Sequence, residues 1–185
     1  MNLDLTSYLK IYPVFDDKFC TQTVEELSEV KWGEHSYHYA SSNSYQTFND
    51  DLKTSYAAVS TKDAIMDGVW HYLLQYYQDM NFPWLDGWMG FTDVRFNRYE
   101  EGTRMRVHCD HIHSMFDGER KGIPTISVLG ALNDDYEGGE LLFWESKKIA
   151  LPAGSLAIFP SNFLYPHEVL PVTKGVRHSF VSWAW

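Results

Sequence analysis

Beyond about residue 85 the chain breaks into short runs of alternating apolar and polar residues separated by Gly, Pro, Asn and Asp, and nothing else restricts its fold as strongly. Successive strand side chains point to opposite faces, and many such runs separated by turn formers specify an antiparallel sandwich or barrel. In Val94-Arg95-Phe96-Asn97-Arg98-Tyr99, Val94 and Phe96 fall on one face, expected to cover helices. Arg95, Asn97 and Tyr99 fall on the other, which is polar and aromatic as a cleft wall would be. Arg106, His108 and Asp110 share a face opposite Val107 and Cys109. After Pro124, Ser127, Leu129 and Ala131 alternate with Ile126, Val128 and Leu132. Further strands are expected over 140–144, 155–159, 167–172 and 176–183, with turns at Gly138-Gly139 and Pro152-Ala153-Gly154.

The first 85 residues read differently. Thr23 with Glu26 is a capping-box pattern opening a short helix, and Gly33 is placed to end it. Ser60 with Asp63 opens a longer helix, in which Ile65, Val69, Leu73 and Tyr77 recur every four residues as an apolar stripe that a sheet or helix must cover. Ile11 to Phe15 can add a strand to the later sheet; Tyr37 to Phe48 is too polar and Ser-rich to assign. At 185 residues, without internal repeats or a Pro/Gly/Ser-rich linker, the chain is expected to form one domain, residues 1–85 as mostly helical support and 86–185 as the β core.

A formal net charge of −10 argues against nucleic acid and anionic membrane as partners, since both are polyanions. Arg95, Arg98, Arg104, Arg106, Arg120 and Lys121 nevertheless concentrate in one region, as a solvated face or as part of a site. Cys20 and Cys109 are too few for a disulfide framework. No apolar run is long enough to span a bilayer, and Met1 to Lys10 lack the blocks of a signal peptide, so a soluble cytoplasmic protein is expected.

Chemistry concentrates in His108-Cys109-Asp110, His167 and Arg177. A His-x-Asp pair on a strand presents both side chains on one face, with Cys109 turned away. Two imidazoles and a carboxylate occupy one face of an octahedral ion and leave the opposite face open, as in non-haem Fe(II) oxygenases. The planar guanidinium of Arg177 suits the distal carboxylate of a keto acid bound to such an ion, and Ser179 shares its face. His-x-Asp alone is a weak signal; its strength comes from order and combination.

Those residues sit in a longer series: Tyr99-Glu100-Glu101-Gly102, His108-x-Asp110, Gly138-Gly139-Glu140, Pro152-Ala153-Gly154, Phe159-Pro160, His167 and Gly175-Val176-Arg177. The series, from about Asp93 to Trp183, resembles the Fe(II)/2-oxoglutarate-dependent dioxygenases and within them the prolyl 4-hydroxylase-like group. The resemblance implies a mainly β double-stranded β-helix (jelly roll) with supporting α-helices. It implies His108, Asp110 and His167 as catalytic iron ligands and Arg177, Tyr99, Ser179 and Ser127 around 2-oxoglutarate. Arg95, Met105 and Trp183 would face the substrate. Fe(II) would be the metal, 2-oxoglutarate and O2 the co-substrates, and ascorbate an accessory reductant. The reaction implied is hydroxylation of an unactivated C–H bond, with peptidyl-proline as first choice and release of succinate and CO2. Two departures bear on substrate: Met105 stands where prolyl hydroxylases tend to have Tyr, and the loop from Asp110 to Ser127 is short.

Three other readings compete. One is hydroxylation of a free amino acid, a small metabolite or another protein side chain. A second is a non-catalytic cupin-like metal or ligand-binding module, for which His111-Ile112-His113 is a superficial match; the later cupin histidine position is Ala157, which disfavours it. The third, zinc hydrolysis, lacks a His-Glu-x-x-His motif and leaves Arg177 without a role. Oligomeric state is not encoded in any pattern of the sequence.

Overall fold

The structure, a computed structural model, describes residues 4–39, 42, 44–110 and 124–185. After a 3-10 turn at Leu5–Tyr8 come β1 (Lys10–Pro13), α1 (Asp17–Ser28), β2 (Gly33–Glu34), β3 (Tyr37–Tyr39), β4 (Ser44–Gln46), β5 (Lys53–Ser55) and α2 (Lys62–Met80). Strands follow: β6 (Arg95–Tyr99), β7 (Met105–His108), β8 (Ile126–Ala131), β9 (Glu137–Gly138), β10 (Leu141–Phe143), β11 (Lys147–Ile149), β12 (Ser155–Pro160), β13 (His167–Val169), β14 (Val172–Lys174) and β15 (Arg177–Ala184). A seven-stranded sheet has the order β1-β12-β8-β15-β6-β5-β2, and a four-stranded sheet the order β11-β10-β13-β7. This is the double-stranded β-helix that the family resemblance implied. Three strands from the first 55 residues, β1, β2 and β5, extend the large sheet at its two edges.

Two apolar layers explain why β8 and β15 are buried throughout. On β15, Phe180 and Ala184 join Val94, Phe96, Ile126 and Val128 under the helices, while Val181 and Trp183 face Phe143, Phe159 and Val169 between the sheets. The alternation of Val94 and Phe96 against Arg95, Asn97 and Tyr99 therefore separates helix-side from cleft-side residues as expected. The α2 stripe packs on the large sheet through Ile65, Val69 and Leu73, all 0% exposed. Burial of each such side chain contributes roughly 1.5–3 kcal/mol, so Leu73→Ala should cost about 2–5 kcal/mol by leaving a cavity.

Several local expectations are corrected. α1 starts at Asp17, not Thr23, because Asp16 accepts a hydrogen bond from the Phe19 amide at 2.8 Å. Thr23 lies inside the helix, bonded to the Phe19 carbonyl and to Thr61. Glu26 does not reach back to it but accepts the Ser60 amide at 2.6 Å, tying α1 to the entry of α2. The helix ends before Gly33, at Ser28. On α2, Tyr76 rather than Tyr77 completes the buried stripe, since a 3.6-residue turn alternates steps of four with steps of three. The expected 167–172 strand divides at Leu170-Pro171: β13 stays in the small sheet and β14 pairs with β9. Tyr37–Tyr39 and Ser44–Gln46, left unassigned by composition, form a two-stranded sheet.

The correction that matters most for the site is in β7. His167 opposes His108 and Val169 opposes Met105, with a register shift between, so the single residue Glu168 of β13 faces two residues of β7, Arg106 and Val107. This bulge puts Met105, not Arg106, on the face of His108. Arg106 turns outward onto Phe48, with its guanidinium carbon 4.1 Å from the ring centroid, and pairs with Asp50 and Asp51. Gly154, at φ 76°, fixes the turn into β12: its carbonyl accepts the amides of Val14 and Phe15, and a Cβ would lie 2.0 Å from the Phe15 carbonyl oxygen. Only glycine fits there.

Candidate active site

A cavity between the sheets is lined by Arg95, Asn97 and Tyr99 of β6, by Met105, His108 and Asp110, by His167 and Val169 of β13, and by Val181 and Trp183 of β15. His108 and His167 are cross-strand partners, and their ring centroids lie 4.4 Å apart. Asp110 Oδ1 is 3.3 Å from His108 Nε2 and 3.5 Å from His167 Nε2. Metal–ligand bonds of about 2.1 Å place neighbouring donors of an octahedral ion about 3 Å apart. The three ligand atoms all lie within 4.8 Å of one another, so this donor set can hold one divalent ion with small side-chain adjustments.

The second nitrogen of each ring is already committed. His108 Nδ1 lies 2.8 Å from the Arg106 carbonyl and His167 Nδ1 lies 3.0 Å from the Tyr165 carbonyl. Each carbonyl fixes the tautomer that donates from Nδ1 and frees Nε2 to ligate. Burial alone would raise the pKa of Asp110, but the two imidazoles outweigh it and hold the carboxyl well below the usual carboxylate range. Burial, reinforced by the neighbouring His167, lowers the pKa of His108. At His167 the Asp110 carboxylate overcomes burial and raises it. Cys109 lies outside the cluster, and burial pushes its thiol pKa up, so it stays a thiol.

Arg177 is 2% exposed and adjoins the cavity through Tyr99, its guanidinium carbon 4.9 Å from the Tyr99 ring centroid. Its Nη1 donates to Ser179 Oγ at 3.0 Å and its Nε to the Tyr136 hydroxyl at 3.2 Å. No carboxylate pairs with it among the described residues, and a buried cation without a counter-charge costs several kcal/mol. A carboxylate-bearing ligand fits that deficit, as the distal end of 2-oxoglutarate would. Burial raises the Tyr99 pKa, which keeps its hydroxyl protonated and able to donate.

Of the residues expected around the site, His108, Asp110, His167, Tyr99, Arg95, Met105 and Trp183 line the cavity. Arg177, Ser179 and Ser127 do not line it; the Ser127 Oγ is buried without a hydrogen-bond partner, opposite Trp183 across the ladder. Arg98, Arg104 and Arg106 are consumed in ion pairs with Glu100, Asp50 and Asp51, which accounts for three of the six members of the basic cluster. His111, His113, Arg120 and Lys121 lie outside the described residues. Sequence reasoning missed Tyr136, which holds Arg177 across a loop, because nothing local marks a tyrosine for a partner far along the chain. It also missed His35, a buried imidazole stacked edge-on against Tyr37.

Residues 94–185 match the model of the 2OG-Fe(II) oxygenase superfamily. A PKHD-type hydroxylase of Shewanella oneidensis is 42% identical over 98 residues, covering 50% of this chain and 42% of the relative. One from Stenotrophomonas maltophilia is 39% identical over 99 residues, 50% of this chain and 43% of the relative. The chain thus spans less than half the length of these curated relatives. Among solved structures, a prolyl hydroxylase from Trichoplax adhaerens in complex with a hypoxia inducible factor peptide superposes with a TM-score of 0.68 at 19% identity, covering 97% of this chain and 84% of that one. A Pseudomonas putida prolyl-4-hydroxylase gives 0.65 at 17%, over 96% and 92%. A viral collagen prolyl hydroxylase from Paramecium Bursaria Chlorella virus-1, in complex with 2OG, gives 0.64 at 16%, over 96% and 94%. These structures share its fold, the family match covers the strands that carry the His108, Asp110 and His167 cluster, and the chain belongs to the 2OG-Fe(II) oxygenase superfamily.

Proposed function

We propose that the whole chain acts as one catalytic domain, an Fe(II)- and 2-oxoglutarate-dependent hydroxylase that oxidises an unactivated C–H bond of a prolyl substrate. In the overall reaction one atom of O2 enters the substrate as hydroxyl and the other enters succinate, as 2-oxoglutarate loses CO2. The observation that carries this reading is the pairing of a two-histidine, one-carboxylate cluster lining the cavity with a buried guanidinium that adjoins the cavity through Tyr99 and lacks an acidic partner among the described residues. Iron(II), when bound, supplies open coordination positions for the keto acid and O2. His108, Asp110 and His167 hold it; Arg177, steadied by Ser179 and Tyr136, takes the distal carboxylate; Tyr99 donates its hydroxyl to the same co-substrate. Ser127, opposite Trp183 across the ladder, offers a buried hydroxyl behind the cavity wall. Ascorbate would serve to return oxidised iron to Fe(II), and two free cysteines suit a reducing cytoplasmic setting. The relatives described above are named hydroxylases and the three fold neighbours prolyl hydroxylases, one of them with a bound peptide, which supports prolyl hydroxylation and a peptide partner.

The test is incubation of the Fe(II)-loaded protein with 2-oxoglutarate and 18O2 against proline peptides, free amino acids and metabolite pools, read by mass spectrometry. A single 18O on a prolyl carbon, matched by succinate, is the expected result. Gain of oxygen only by a non-prolyl class contradicts the substrate assignment. Metal binding without any 2-oxoglutarate consumption contradicts the enzyme reading and favours the cupin-like module.

A further inference from the structure

Arg95 differs from every other described arginine near the site. Arg98, Arg104 and Arg106 each have an acidic partner within 4 Å, and Arg177 has two hydroxyl acceptors. Arg95 lines the cavity with no acidic partner among the described residues, which sets it apart; its Nε is buried without a hydrogen bond, as are those of Arg98, Arg104 and Arg106. Its guanidinium carbon sits 5.2 Å from the centroid of the Trp183 ring. Stacking on an indole orients the planar fork without consuming its donors. Beside it on the same wall, Asn97 Oδ1 and Trp183 Nε1 are also buried and unpartnered. Clustered orphan polar atoms in a cavity mark where a ligand supplies the missing partners.

Charge balance points the same way. Asp110 is the only carboxylate lining the cavity among the described residues. With iron(II), Arg177 and a doubly charged co-substrate in place, the charges of metal, Asp110, Arg177 and 2-oxoglutarate cancel. Arg95 is left over, an unbalanced positive charge on a partly buried wall. We propose that Arg95 is a specificity-determining residue that binds a carboxylate carried by the primary substrate, with Asn97 and Trp183 completing the polar contacts. The proposal rests on the hydroxylase reading above and narrows it: the preferred prolyl substrate has a negative charge close to the reacting carbon. Free proline, a C-terminal prolyl residue and a proline flanked by glutamate all meet that requirement. An uncharged internal prolyl segment does not.

Calorimetric titration of the protein loaded with Mn(II) and 2-oxoglutarate tests this without turnover. The probes are L-proline and its amide, Ala-Pro with a free or amidated C-terminus, and an Ala-Pro-Ala peptide with capped ends and its Glu-flanked counterpart. At least one acid should bind roughly tenfold or more tighter than its neutral twin, the scale of one charge-assisted hydrogen-bonded pair. Which acid does so identifies the source of the carboxylate. Arg95→Gln should abolish that preference and Arg95→Lys should retain part of it, while both bind Mn(II) and 2-oxoglutarate as the parent does, which also shows that they fold. Acids and neutral twins binding alike, or not at all, overturns the proposal. So does a preference that survives Arg95→Gln, or an equal loss of 2-oxoglutarate affinity, which would make Arg95 part of the co-substrate site. Failure of the parent to bind 2-oxoglutarate with Mn(II) would instead overturn the hydroxylase reading.

Discussion

Arg177→Gln separates the role of the guanidinium from that of the metal cluster. Arg177 is 2% exposed, holds Ser179 and Tyr136 through two of its five donors, and has no acidic partner among the described residues. If it takes the distal carboxylate of 2-oxoglutarate, truncating one partner of a buried, hydrogen-bonded charge pair costs about 2–5 kcal/mol, or about 30-fold to several-thousand-fold in Kd. Arg177→Lys keeps the charge but loses the fork, and should fall between, weakened roughly tenfold. The same geometry predicts an opposite effect on the ligand-free protein. There the guanidinium is an uncompensated buried charge, so Arg177→Gln should raise its unfolding free energy, by about 1 kcal/mol or more. The assays are calorimetric titration of 2-oxoglutarate into the Mn(II)-loaded proteins and urea unfolding without ligand. A Gln variant that binds 2-oxoglutarate within threefold of the parent, at equal Mn(II) affinity, rules out Arg177 as the carboxylate anchor.

A methyl added at Gly130 would lie 2.2 Å from Phe180 Cζ, a ring with no exposure that packs against Phe15 and Phe96. Gly130→Ala should therefore cost about 3 kcal/mol or more, and Phe180→Leu on that background should recover part of it in urea midpoints. Burial holds His35 near a pKa of about 3 and His178 near about 4, against an ordinary 6.5. Because the unfolded chain takes up these protons first, stability present above pH 6.5 is lost as pH falls and the loss levels off only near the folded values. By pH 5 each histidine should cost about 2 kcal/mol relative to pH 7; His35→Gln should flatten that slope in metal-free urea unfolding, and an unchanged slope would contradict the burial argument.

The cleft wall was legible in β6 because one strand face is simply every second residue, and Val94 and Phe96 against Arg95, Asn97 and Tyr99 left no ambiguity. Strand alternation failed one strand later. The β7 bulge inserts an extra residue between Met105 and His108, and nothing in Met-Arg-Val-His announces it, so Arg106 was assigned a face that it leaves for Phe48 and Asp50. The capping pattern at Thr23 and Glu26 was real chemistry used elsewhere: Glu26 caps Ser60 at the entry of a different helix. Long-range partners such as Tyr136 for Arg177, and the carbonyls of Arg106 and Tyr165 for the two site histidines, depend on which loops the fold brings together. No local pattern encodes them.

In the proposed enzyme His108, Asp110 and His167 hold one iron that shares its open positions with a keto acid anchored on Arg177. Anaerobic addition of Fe(II) and then 2-oxoglutarate, followed by visible absorption, tests both halves at once, because a keto acid chelated to Fe(II) gives a metal-to-ligand charge-transfer band. The band should saturate at one iron per chain, be absent in His108→Ala, Asp110→Ala and His167→Ala, and need more 2-oxoglutarate in Arg177→Gln. A band of full intensity in any of the three ligand variants, or none in the parent at saturating metal and co-substrate, would contradict that arrangement.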